Sequence, residues 1–97
     1  MPDLTVVAVI AAQPGKEDVV REALVALVAP TLQEEGCLSY VLSESAAQPG
    51  TFVTVETWRA QADLEAHMGT PHVQTALAAA GPSLAGAPAI HPLVPLA

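Results

Sequence analysis

His67, His72 and His91, with the lone Tyr40, Phe52 and Trp58, carry most of the polar-aromatic chemistry in a 97-residue chain built largely from Ala, Val and Leu. Leu64, His67 and Met68 fall at i, i+3 and i+4, so they share one helical face that is otherwise apolar, and the imidazole points inward. An inward imidazole is either a satisfied core group or a base that moves a proton in a pocket. Glu56 alternates along a strand with Phe52, Thr54 and Trp58, which sets its carboxylate between aromatics rather than among other charges. A carboxylate that accepts from one imidazole nitrogen fixes the tautomer and makes the other nitrogen more basic. His67 as base and Glu56 as its orienting partner are therefore the candidate catalytic residues.

Tyr40, Trp58 and His72 are the candidate substrate-binding residues. Tyr40 would act as a hydroxyl donor, Trp58 as a flat wall, and His72 as a neutral hydrogen-bonding group in the first turn of a helix, where the dipole disfavours imidazolium. Each of these, like His67, has a plainer alternative: for His67 a core imidazole, for Trp58 a core indole, for Tyr40 a hydroxyl bonded to backbone, and for His72 an exposed helix start. His91 stands in a proline-rich tail and receives no role. No metal site is expected, because His67 and His72 are five apart, interrupted by Gly69 and Pro71, rather than at i, i+4 on one helix. No cofactor-binding residues are expected either, since the six glycines form no dinucleotide-binding or Walker pattern.

Composition narrows the partners. Ten carboxylates against three Lys and Arg give a formal charge of −7, which repels phosphate backbones and anionic lipid headgroups, so neither nucleic acid nor a membrane surface is expected as a partner. The single Cys37 allows no internal disulfide and fits a reducing, cytoplasmic setting. The length suits one domain, residues 1–97.

The elements that position these residues follow from periodicity. Leu4 to Ala12 is a β-branched run with apolar residues at both parities, a strand covered on both faces. Lys16 to about Glu35 repeats Val20, Leu24, Leu27 and Val28 at helical spacing, with Glu17 and Asp18 in the first turn. Pro30 either bends that helix near Ala26, the preferred reading, or ends it before Gly36. Cys37 to Ser45 and the run through Phe52 to Trp58 alternate as a hairpin across Ala46–Gly50. A second helix follows Trp58 and breaks at Gly69. Thr70 and Pro71 then cap a short helix with Val73, Ala76, Leu77 and Ala80 on its inner face. Pro88 to Leu96 alternates loosely, and its prolines confine it to an edge or to a reach across to a partner. The order β, α, β, β, α, β predicts an α+β, ferredoxin-like antiparallel sheet with helices on one face. The bare face then predicts a homodimer built through the sheet.

Glu35-Gly36-Cys37-Leu38-Ser39-Tyr40, Phe52 with Glu56-Thr57-Trp58, and Leu64, His67 and Pro71-His72 together resemble the antibiotic biosynthesis monooxygenase family of dimeric α+β barrels. The resemblance spans most of the chain. It implies a cofactor-free oxygenase that deprotonates a small reduced aromatic, quinol- or anthrone-like, whose anion gives an electron directly to dioxygen. The family's haem-degrading branch depends on an asparagine, and this chain has none. Family oxygenases also use Asn or Arg to hold substrate, for which only Arg59 is near. The same fold hosts non-catalytic ligand-binding or scaffold modules and oxygen-independent isomerases, which stand as the alternatives.

Overall fold

The computed structural model describes residues 3–97. Strand β1, Leu4–Ala11, alternates as its sequence requires: Val6, Ala8 and Ile10 are buried on one face, and Val7 and Val9 are half-buried on the other. Gly15, at φ 84°, turns the chain into helix α1, Glu17–Leu32. This helix runs as one segment past Pro30, which lies in its last turn, and it stops at Leu32 rather than near Glu35. Hydrogen bonds from Gln33 N–H to Pro30 O and from Glu34 N–H to Thr31 O tighten its end into a turn.

Strands β2, Cys37–Glu44, and β3, Thr51–Trp58, form the expected hairpin, with Gly50 at φ 90°. The Gly50 N–H donates to the Glu44 carboxylate, which also pairs with Arg21 of α1 and so fastens the hairpin to that helix; these contacts hold Glu44 below the usual carboxylate range. Helices α2, Gln61–Met68, and α3, Pro71–Ala80, flank the expected break at Gly69, and a 3₁₀ turn, Gly81–Ser83, leads to the short strand β4, Ala89–Pro92. Of the expected strand from Pro88 to Leu96, only these four residues pair.

The sheet order is β2-β3-β1-β4, antiparallel throughout. The fold is α+β and ferredoxin-like. Val20, Leu24 and Leu27 of α1 and Val73, Ala76 and Ala80 of α3 pack with Ala8, Ile10 and Phe52 of the sheet, while Leu64 of α2 packs with Val6 and Trp58. All three helices thus cover one face. Leu77, expected on the inner face of α3, is 41% exposed. It sits 100° around the helix from Ala76, at the rim of the buried stripe, where a long side chain projects past the core. On the other face, His91, Val7, Val55 and Val41 lie in register across all four strands, with Val55 and Val41 exposed.

Candidate active site

His67 is 4% exposed, so α2 directs it inward as its spacing predicts. Its partner is not the one expected. Nδ1 of His67 lies 2.6 Å from Oε2 of Glu34, and Nε2 of His72 lies 2.7 Å from the same oxygen. A carboxylate only accepts, so both imidazoles donate to it: His67 through Nδ1–H and His72 through Nε2–H. In the neutral His67 ring this leaves Nε2 as a bare lone pair, with no hydrogen bond to any described residue.

Glu34 reaches this position because α1 has ended two residues earlier and the chain is turning into β2. Its backbone O accepts from Cys37 N–H, and Gly36 is pressed so closely on the side chain of Asp63 in α2 that a Cβ there has no room. A carboxylate just past a helix C-terminus faces the negative end of the dipole, and donors from elsewhere must compensate it. Two imidazoles do so.

Glu56, expected to orient His67, is buried and bonded elsewhere. Oε1 accepts from Trp58 Nε1 at 2.9 Å and Oε2 from Thr54 Oγ1 at 2.6 Å. The three side chains are two residues apart on one strand face, so β3 alone satisfies the carboxylate. Glu56 holds the indole of Trp58, which in turn packs on the imidazole of His67 with ring centroids 4.7 Å apart.

A cavity of about 90 Å³ adjoins His67, lined mainly by apolar side chains with Tyr40, Thr54 and Glu56 as its polar groups. Leu77 and Ile90 stand half-exposed at its rim. Tyr40 meets the cavity from β2, its ring centroid 6.0 Å from that of His67. Burial, and next the charge of Glu56, push its hydroxyl well above its ordinary range, so it faces the cavity as a protonated donor. Two expected wall residues lie elsewhere. Trp58 is fully buried behind His67 and does not line the cavity. His72 lies beyond Glu34, facing a groove between α1 and α3 lined by Ala23, Leu27 and Ala76. Arg59 pairs with Asp63 at 2.8 Å and stays at the surface.

The five-residue spacing of His67 and His72 does not keep them apart, contrary to the expectation from a single helix. Thr70 Oγ1 donates to the His67 carbonyl oxygen and accepts from Val73 N–H, so α3 starts directly from the end of α2 and the two imidazole centroids come within 6.0 Å. Ligand atoms of Glu34, His67 and His72 all lie within 4.8 Å of one another. The sequence reading missed Glu34 as a site residue. Its one local signal is an acidic residue at a helix end where acids are disfavoured.

Sequence and structure comparisons agree on what this architecture is. The profile of the family described as antibiotic biosynthesis monooxygenase matches residues 3–79. The chain is 37% identical over 84 residues to the Mycobacterium tuberculosis protein Rv0793, covering 87% of this chain and 82% of that one. It is 35% identical over 81 residues to the Escherichia coli protein named "Probable quinol monooxygenase YgiN", covering 73% and 78%. The crystal structure of PA3566 from Pseudomonas aeruginosa superposes with a TM-score of 0.92 at 35% identity, over 100% of this chain and 97% of that one. By its sequence and its fold, the chain belongs to the antibiotic biosynthesis monooxygenase family.

Proposed function

We propose that this protein is a cofactor-independent monooxygenase that oxidises a small reduced aromatic, quinol- or anthrone-like, with dioxygen. One observation carries the reading: His67 lines an apolar cavity while its Nδ1 is held by Glu34, which leaves Nε2 as the ring nitrogen free to serve that cavity. Nε2 takes the phenolic proton, Tyr40 donates to a substrate oxygen, and the apolar walls keep water from the anion. The anion passes an electron to dioxygen, and the resulting radicals combine at a ring carbon to a peroxide. Loss of water then leaves a carbonyl, so the substrate keeps one oxygen atom and the other departs as water, with all four electrons that reduce dioxygen drawn from the substrate. The name of the E. coli relative supports a quinol as the reductant.

The functional unit is a homodimer joined through the apolar row Val7, Val55 and Val41, and it works in the cytoplasm. An apolar row across a whole sheet face is what a second copy covers by symmetry. Oxygen uptake with a panel of hydroquinones and anthrones tests the activity. Wild-type uptake should exceed buffer with at least one substrate, and His67→Ala should lower it by roughly 10²- to 10⁴-fold, the range of a general base. Wild-type uptake equal to buffer across the panel overturns the reading.

A further inference from the structure

We infer that Glu34, His67 and His72 form a binding site for a first-row divalent transition cation of the zinc(II) or cobalt(II) class, on the face of His67 turned away from the cavity. Two imidazole nitrogens and a carboxylate oxygen are a donor set that suits such cations. Each donor now shares a proton with its neighbour, at 2.6 Å and 2.7 Å from Oε2 of Glu34. Bonds of about 2.0–2.2 Å to a single tetrahedral ion place neighbouring donors about 3.3–3.6 Å apart, so each imidazole–carboxylate pair has to open by roughly 0.6–1.0 Å, and all three donor atoms already lie within 4.8 Å of one another. The donors come from three elements, the turn after α1, α2 and the start of α3, so they surround a point rather than lie along one face. His72 and Glu34 keep 22% and 14% of their side-chain surface exposed, which leaves a path from solvent, and the net charge of −7 draws cations toward it.

The proton accounting gives the site a consequence. A cation on Nδ1 of His67 displaces the proton held there, and in the neutral ring that proton moves to Nε2. His72 shifts the other way, its proton passing from Nε2 to Nδ1. The cavity nitrogen then becomes a donor, and the lone pair required of the base is gone. This part rests on the proposed function: the cation switches the base off from behind without entering the cavity.

Equilibrium dialysis of the chelator-treated full chain against Zn²⁺ tests the site, comparing wild type with E34Q, H72Q and H91Q, each verified as folded by circular dichroism. Wild type and H91Q should bind one Zn²⁺ per chain. E34Q and H72Q should lose more than the roughly 10- to 100-fold in affinity that loss of an outer-shell partner costs. Zn²⁺ should shift the ring resonances of His67 and His72 in wild type and leave those of His91 unmoved, which decides the matter even if both variants fail to fold. Binding that is equal in all four proteins, or ring resonances that do not move, overturns the site. Where a quinol substrate is found, oxygen uptake should fall in step with Zn²⁺ occupancy and return with chelator. Absence of any oxidase activity leaves the binding result intact, so failure of the proposed function is distinguishable from failure of the metal site.

Discussion

Nδ1 of His67 and Oε2 of Glu34, 33 residues apart in the chain, stand 2.6 Å from each other. The neighbouring carboxylate, Glu56, gives its two oxygens to Thr54 and Trp58. The two acids therefore differ in what their loss should do. Glu34→Gln replaces an acceptor with a group that can donate to Nδ1, which favours the proton on Nε2; kcat should fall roughly 10- to 100-fold, as for loss of a carboxylate behind a functional imidazole. Glu56→Gln weakens buried bonds to Thr54 and Trp58 and should cost about 1–3 kcal/mol of stability with a smaller effect on kcat. Oxygen uptake and thermal melting on both variants check this, and an exchange of the two patterns would reverse the assignment.

Tyr40 predicts an alkaline limit on stability. Its hydroxyl is raised well above the ordinary 10.0 by burial and by the charge of Glu56, so the unfolded chain loses this proton before the folded one does. Above about pH 10 the unfolded state binds fewer protons, and stability falls as pH rises, by up to about 1.4 kcal/mol per pH unit. Below that pH the contribution is fully present. Denaturant melts from pH 8 to 11 should show this extra slope in wild type and not in Tyr40→Phe.

Thr31 is fully buried in the last turn of α1, and its Oγ1 has no hydrogen-bond partner among the described residues. A buried hydroxyl without a partner carries a desolvation cost of about 1–3 kcal/mol, which Thr31→Val removes at nearly constant shape. The variant should melt several degrees higher. A lower melting temperature would mean that the hydroxyl is satisfied in solution.

Cys37 should react slowly. Burial, followed by the charges of Glu34 and Glu56, pushes its thiol above the ordinary 9.0, and Sγ–H donates to the Ser39 carbonyl oxygen. Little thiolate is present near neutral pH, and the thiolate is the nucleophile. Alkylation by iodoacetamide at pH 7.5 should be several-fold slower than for free cysteine and should accelerate in denaturant.

Val55 sits at the middle of the apolar row, paired with Val7 on one side and Val41 on the other. Sedimentation of wild type should give a dimer, and Val55→Glu, which places a carboxylate on each side of the interface, should give a monomer. A monomeric wild type at working concentration would remove the dimer from the proposal.

The architecture was largely legible because it rests on local patterns. The apolar run of β1, the alternation of β3, the Thr70-Pro71 cap and the inward turn of His67 are set by residues within a few positions of one another. What escaped depended on distance or on side-chain length. Glu34 shares no period with His67 or His72, and only the tertiary docking of α2 and α3 against the end of α1 brings them together. The Glu56–His67 pairing was misjudged because Thr54 and Trp58, two residues either side on the same strand face, reach that carboxylate first. Leu77 was misplaced because helical spacing locates a Cβ on the edge of a stripe but not where three further carbons end.

Gly36 lies tight against Asp63, and this close approach seats the turn that carries Glu34 beside α2. A nascent chain, or one whose first helix has frayed, still carries both imidazoles but has nothing to hold either in one protonation pattern. If the proposed oxygenase activity holds, reactivity toward oxygen is reserved for the finished molecule, and a damaged copy falls silent instead of leaking radicals.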